Sequence, residues 1–237
     1  MLYDKFVNKY IIKGKLVLID PVHIGSSSKN SLDPSNVDNS VLKDSRGKPV
    51  IPGASVKGVV RSYFESVLKG IGANCCDVLD NKKCCTEKSN VKDNAKKLRT
   101  FKEKAELAYE KSCEACRLFG GREFAGKIHI KDCYLIGTPS FEYRDGVGID
   151  RETGAAKRGA KYDYEVVSKG SEFDFVMTAE NLNEKQEKYL SFILDTLKSG
   201  ELSIGGKTSR GLGSFKIEID TNQKQTADDI KKLLNCD

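Results

Sequence analysis

Apolar, β-branched residues crowd the segment from Tyr10 to Asp20 (YIIKGKLVLID), a pattern that predicts a strand with Gly14 as a candidate bulge. Residues 24–49 follow as a polar stretch rich in Gly, Ser, Asn, Asp and Pro without helical period, longer than an ordinary connection and so a candidate functional loop. From Ser55 the pattern changes. Val56, Val59, Val60, Tyr63, Phe64, Val67 and Leu68 recur at helical spacing until Gly70, which predicts a helix over 55–69. Residues 71–112 are rich in Lys and Cys, and their second half (KKLRTFKEKAELAYEK) favours helix. Alternation returns in Lys127–Ile136 and Glu172–Met177, both read as strands, and Tyr162–Val167 also alternates inside a Gly-rich, charged segment, which predicts a projecting hairpin. Residues 184–199 place Tyr189, Phe192, Ile193 and Leu197 on one face between an Asn183 cap and a Gly200 stop. A last strand is expected over Ser214–Ile219 and a short helix over Ala227–Leu234.

With the insertions removed, the element order is β-α-β-β-α-β, the split βαβ arrangement of α+β ferredoxin-like and RRM-like domains, whose sheet leaves one face free for RNA. The expected organisation is a core of residues 1–70 and 117–237, a thumb hairpin at 142–170, and a Cys-rich insertion at 71–116. No run of apolar residues approaches the roughly 18 needed to span a membrane, and MLYDKFVNKY lacks the apolar centre of a signal peptide, so a cytoplasmic protein without a membrane partner is expected. A net charge of +6 permits a polyanionic partner without demanding one, which makes the placement of the cations decisive.

Two segments gather cations around glycine. In Ile51–Arg61 (IPGASVKGVVR) a Pro-Gly turn leads Ser55 into the predicted helix, and Lys57 and Arg61 share a face four residues apart. Amides of a first turn, the helix dipole and two cations there suit a phosphate; an ordinary solvated helix face is the simpler alternative. In Ile204–Gly213 (IGGKTSRGLG), Gly205, Gly206, Ser209 and their neighbours surround Lys207 and Arg210, and glycine lets a backbone approach a sugar-phosphate chain closely. The segment lacks Walker A spacing and precedes a strand, which disfavours nucleotide hydrolysis. His129, mid-strand, reads as structural, while Tyr162 and Tyr164 suit either base stacking or support of the hairpin.

Six of eight cysteines lie close together as Cys75-Cys76, Cys84-Cys85 and Cys113-x-x-Cys116. The last has zinc-knuckle spacing, so four of these thiols, Cys113 and Cys116 among them, form a candidate structural Zn2+ site stapling the insertion. Disulfides or free thiols are the alternatives.

Together these motifs resemble the RAMP superfamily, and in particular the backbone subunits of type III CRISPR effector complexes. The resemblance runs in order through Val22-His-Ile-Gly25, Val37–Asp44, Ile51–Arg61, Arg117-Leu-Phe-Gly120, Gly148-Ile-Asp-Arg151 and Ser209–Gly213; the 71–112 insertion and the C-terminal tail fall outside it. The resemblance implies a subunit that polymerises with further copies or paralogues along a CRISPR guide RNA, within a complex of other effector subunits, and engages complementary target RNA. It implies guide contacts from His23, Ser55, Lys57, Arg61, Arg151 and the 205–213 loop, and a thumb over residues 146–166. Catalytic members cut target RNA with a divalent metal such as Mg2+ and an acidic residue on the loop after the first strand, which matches Asp38 here. Asp33 and Asp44 are neighbouring carboxylates, Asp44 reading rather as a turn residue. A non-catalytic RNA-binding subunit of the same complex is the alternative. A guide-processing nuclease is disfavoured, because only His23 among the histidines lies in a suitable loop.

Overall fold

In the computed structural model the described residues are 5–25, 39–80, 83–87, 98 and 100–235. The strands are β1 (Asn8–Leu18), β2 (Val50–Ile51), β3 (Ile128–Ile130), β4 (Cys133–Ile136), β5 (Phe141–Ile149), β6 (Ala156–Val167), β7 (Glu172–Glu180) and β8 (Phe215–Thr226). The helices are α1 (Gly53–Gly70), α2 (Phe101–Lys111), α3 (Glu114–Phe119), α4 (Glu184–Ser199) and α5 (Ala227–Leu234).

The main sheet runs β2-β4-β7-β1-β8, with β3 also paired to β7 and every pairing antiparallel. β1, the broken β3–β4 strand, β7 and β8 are the four strands of a ferredoxin-like α+β fold, with α1 and α4 as its helices. The two-residue edge strand β2, which no alternation marks, is added by pairing with β4. Period-two alternation sends Phe173, Phe175, Met177 and Ala179 of β7 and Ile12 and Leu16 of β1 to the helix-covered face, all of them buried. Against them α1 lays Val56, Val60, Phe64 and Leu68, one residue per turn. The Phe64 ring meets Tyr189 of α4 edge-on at 5.1 Å and Phe119 of α3 at 5.8 Å, so α1 joins the second helix to the inserted region. Complete burial of such a side chain stabilises by about 1.5–3 kcal/mol.

Gly14 is the expected bulge. The β1–β8 register shifts between Lys13 and Gly14, and a Cβ at Gly14 would overlap the Glu218 carbonyl. β8 continues to Thr226, beyond the expected end at Ile219, because its polar outer half is held by backbone pairing to β1 rather than by side-chain burial. α4 occupies its expected span. A reciprocal Asn183–Gln186 capping box opens it and Gly200, in the left-handed conformation at φ 81°, ends it.

The inserted region is fused to this core. Ala108, Cys113, Ala115 and Cys116 belong to the same buried cluster as the sheet. The buried Lys127 ammonium donates to the Asn181 carbonyl (2.6 Å) and Gln186 Oε1 (2.8 Å), and Gln186 Nε2 donates to the Tyr109 hydroxyl of α2. β5 and β6 form a separate two-stranded hairpin that reaches back to the core through the Val22–Val167 bridge.

Candidate nucleic-acid interface

The end of the sheet where β1 finishes and β8 begins carries a tightly built ridge. Leaving β1, the chain passes His23, which is only 6% exposed. Its Nδ1 lies 2.7 Å from the Glu165 carbonyl oxygen. A carbonyl can only accept, so Nδ1 is the donor in this hydrogen bond. The glycine-rich loop folds directly onto this histidine. Gly206 N–H donates to the His23 carbonyl at 2.8 Å, and Gly213 N–H donates to that of Pro21 at 2.9 Å. Gly205 sits at φ 87° with its α-carbon so near the His23 carbonyl that a Cβ would overlap it, which explains the glycine.

The base of the hairpin closes the other side. Tyr164 packs edge-on to His23 at 5.8 Å and is stacked with Tyr162 at 6.0 Å. Lys207 Nζ stands 4.2 Å over the Tyr164 ring and 5.8 Å from that of Tyr162, while the Arg210 guanidinium donates to the Tyr162 hydroxyl. Lys207 is a non-glycine residue in the left-handed conformation, at φ 61°. Among the described residues neither Lys207 nor Arg210 has a carboxylate partner, whereas Lys9, Lys15, Lys43, Arg61, Arg117 and Lys224 all do. Ser209 is exposed on the same loop. Beneath the ridge the Glu165 carboxylate, 2% exposed, accepts from the Val41 amide (3.1 Å) and from Lys43 Nζ (2.8 Å). The sequence offers Tyr162, Tyr164 and Lys207 separately; that they meet is not visible in it, because Lys207 lies about forty residues from the tyrosines, and the buried Glu165 beside Tyr164 carries no local mark.

Asp38 and Asp33 lie outside the described residues. Next to Asp38 in the chain, Asn39 is fastened to the ridge: its carbonyl accepts from the Glu165 amide at 3.0 Å and it bridges Tyr164. Asp44 is a turn residue, its Oδ1 accepting the amides of Arg46 and Lys48 at 2.9 Å each.

The open face of the sheet is built differently from an RNA-stacking RRM face. Its two central strands present Lys9, Ile11, Lys13, Lys15 and Val17 against Asp174, Val176, Thr178 and Glu180, with no aromatic ring. Lys9–Glu180 (2.8 Å) and Lys15–Glu172 (2.9 Å) neutralise much of its charge. His129 lies exposed on this face, away from the ridge.

The α1 motif also departs from the expected geometry. The helix begins at Gly53 rather than Ser55, and the Gly53 amide donates to Asp132 Oδ1 at 2.8 Å, so the protein's own carboxylate meets the first turn where a phosphate was expected. Arg61 turns toward the inserted region. Its Nε donates to Glu65 (2.7 Å), one terminal nitrogen to the Gly120 carbonyl (2.9 Å) and the other lies 3.5 Å from Cys116 Sγ. Lys57 is half-buried beside it, and burial together with the Arg61 charge lowers its pKa. The structure therefore unites His23 with the 205–213 loop, and sets Lys57 and Arg61 apart on a helix packed against β3, α3 and α4. Arg151 lies exposed in the turn at the hairpin tip, which Asp150 organises by accepting the Glu152 and Thr153 amides.

Of the six clustered cysteines, Cys76, Cys85, Cys113 and Cys116 converge, all buried and with every Sγ within 4.8 Å of the others. Cys76 lies 3.4 Å from Cys116 and 3.8 Å from Cys113, compared with the roughly 3.8 Å edge of a tetrahedron whose zinc–sulfur bonds are about 2.3 Å. Hydrogen bonds from Cys116 and Cys85 hold the Cys113 thiol well below its ordinary range, whereas desolvation pushes Cys76 up to about 12. Cys75 and Cys84 stand outside this group, Cys84 Sγ lying 3.4 Å from the Thr86 hydroxyl.

Fold and site together define an RRM-like α+β domain with a glycine-lined ridge carrying Lys207 and Arg210 at one end of its sheet. The chain belongs to the RAMP superfamily, whose family description matches residues 15–216. It is 24% identical to the CRISPR system Cms endoribonuclease Csm3 of Methanocaldococcus jannaschii, over 95% of this chain and 90% of that protein. The Csm3 endoribonuclease of Enterococcus italicus is 27% identical, over 90% of this chain and 92% of its own length. In fold the chain is similar to a chain of the type III-B Cmr-beta complex in its apo state, with a TM-score of 0.59 and 12% identity over 89% of this chain and 97% of that one.

Proposed function

We propose that this chain is a guide-RNA-holding backbone subunit of a type III CRISPR ribonucleoprotein effector in the cytoplasm, assembled with further copies or paralogues and other effector subunits and engaging complementary target RNA. The observation that carries this reading is the ridge: Lys207 and Arg210, without a carboxylate partner among the described residues, on a glycine-rich loop locked to His23, in a chain similar over nearly its whole length to proteins named as CRISPR endoribonucleases. Cations without carboxylate partners leave the phosphate chain as their best partner, and glycines without Cβ atoms let it approach the backbone. His23, Gly205, Gly206, Lys207, Ser209 and Arg210 form the principal contact, with Ser55, Lys57 and Arg151 touching other stretches of the guide. Binding of single-stranded guide RNA to the full chain is expected to weaken in Lys207→Ala and in Arg210→Ala, each lowering the slope of log affinity against log salt by about 1. Unchanged affinity and slope in both variants rule out this site.

For target cleavage the candidate is Asp38, on the loop whose described end, Asn39, adjoins the ridge. Its carboxylate would orient or deprotonate the ribose 2′-OH that attacks the neighbouring phosphate. A divalent metal such as Mg2+ would supply stabilisation of the charge developing on that phosphate. The buried carboxylate at the ridge, Glu165, is already occupied by Lys43 and the Val41 amide, which favours Asp38 over it; the alternative is a subunit that holds RNA without cutting. Cleavage of complementary RNA by assembled complex is expected to disappear in Asp38→Ala; persistence at wild-type rate assigns the chemistry elsewhere.

We further assign Cys76, Cys85, Cys113 and Cys116 as the ligands of a structural Zn2+. Four thiolates close the coordination shell and leave no position for substrate, so the metal's contribution is to fasten the inserted region.

A further inference from the structure

We propose that Tyr162 is a stacking platform for one unstacked nucleobase of the bound RNA strand, with Lys207 and Arg210 taking the phosphates beside that base. This rests on the ridge being the RNA-binding site and names what the ridge reads there. The two tyrosines at the hairpin base are not equivalent. Tyr164 is 7% exposed, with His23 at its edge and the Lys207 ammonium over its ring, so it is a support. Tyr162, one step farther out on the same face of β6, is half-buried.

Three features hold the Tyr162 ring in place before any ligand arrives. Directly across the hairpin stands Gly146, and the ring occupies the space of its missing side chain; a Cβ there would overlap the phenol carbons. The Tyr164 ring lies alongside at an interplanar angle of 28°. The hydroxyl accepts from the Arg210 guanidinium, tying ring to loop. An aromatic ring fixed by a glycine opposite it, a second ring beside it and a cation at its tip loses little freedom when a base stacks on it. The same two cations lack carboxylate partners among the described residues, so a nucleotide supplies both things the site is missing: a π-face for the ring and an anion for Lys207 and Arg210. A stacked base is read by its face and not its edges, so the subsite tolerates any base but requires that one be present.

The chain contains no tryptophan, so Tyr162→Trp gives a single reporter at the platform. Saturating single-stranded RNA is expected to quench its emission, with affinity within about twofold of wild type. Tyr162→Phe should bind almost as well, since it keeps the ring, while Tyr162→Leu should weaken binding about fivefold to a hundredfold, the effect of losing one base–aromatic stack. Gly146→Ala, which dislodges the ring without removing it, should weaken binding in the same direction. Affinity of Tyr162→Leu within twofold of wild type, or Tyr162→Trp emission unmoved by saturating RNA, overturns the proposal; should Tyr162→Leu fail to fold, the Phe and Trp variants still decide it. If those results come while Lys207→Ala and Arg210→Ala still lose affinity, the stacking assignment fails alone. Absence of RNA binding by the wild-type chain overturns the ridge itself.

Discussion

The ridge at the end of the sheet and the cysteine cluster beside α1 use similar materials, basic residues next to glycine and polarisable or aromatic groups, yet the cations end in opposite conditions. At the cluster, Arg61 has a carboxylate, a carbonyl and a sulfur as partners. At the ridge, the partners of Lys207 and Arg210 among the described residues are aromatic groups rather than carboxylates, and Lys207 occupies a backbone conformation that side chains disfavour. A satisfied cation holds a fold together, whereas an unsatisfied one in a strained loop waits for a partner from outside. Their shared appearance in sequence hides this, because the difference lies in what each cation meets after folding.

The sharpest way to break the comparison is at the cluster. Cys113→Ser or Cys116→Ser removes a buried thiol of the proposed zinc site, whose cluster is continuous with the main core, so the loss should reach beyond the inserted region. Zinc content measured by plasma mass spectrometry should fall, with stability lost on the order of 5 kcal/mol or more in chemical denaturation. Cys75→Ser and Cys84→Ser, outside the converging group, should retain the metal. Equal loss from all four substitutions would erase the distinction between ligands and bystanders.

Next in size is Arg61→Ala, expected to cost about 2–3 kcal/mol by leaving Glu65 and the Gly120 carbonyl without their charged donor. A dication held by four thiolates would retain excess negative charge, which Arg61 at 3.5 Å from Cys116 would offset, so a chelator should also strip zinc from this variant faster. Guide binding per folded molecule should change far less than in Lys207→Ala. The reverse order would return Arg61 to the RNA contacts expected from its motif.

How much of this was legible before folding follows the range of the interactions. α4 could be read from 184 to 199 because its stripe, its Asn183 cap and its Gly200 stop are all local, and Gly14 announced its bulge for the same reason. The β8 extension was invisible, since Asp220–Gln225 is polar and held by β1 across the sheet. Choosing Cys76 over Cys75 and Cys85 over Cys84 needed the backbone, because adjacent residues point different ways. Arg61 was ambiguous for a related reason: Cys116 and Gly120 lie 55 and 59 residues away in the chain. The glycine-rich loop was legible as a cationic element, and Tyr162 and Tyr164 as aromatic candidates, but not that folding sets Lys207 and Arg210 against those rings.

The smallest effect tests the ridge half of the comparison most directly. Lys207 holds φ 61°, a conformation that costs a side-chain-bearing residue about 1–2 kcal/mol and glycine almost nothing. Lys207→Ala and Lys207→Gly both remove the ammonium from the Tyr164 ring, so the lost cation–π contact cancels between them and the backbone cost remains. The glycine variant should be the more stable by about 1 kcal/mol in urea denaturation, the opposite of the usual order of the two residues, which comes from the greater freedom of an unfolded glycine. Both should bind guide RNA with the same reduced affinity. A loop selected only to hold the fold would have adopted glycine here, as it did at Gly205, Gly211 and Gly213, so a stability gain accompanied by a binding loss would mark Lys207 as strain retained for its charge. Equal stability of the two variants would instead mean that the loop relaxes without cost, and that the contrast with Arg61 rests on partners alone.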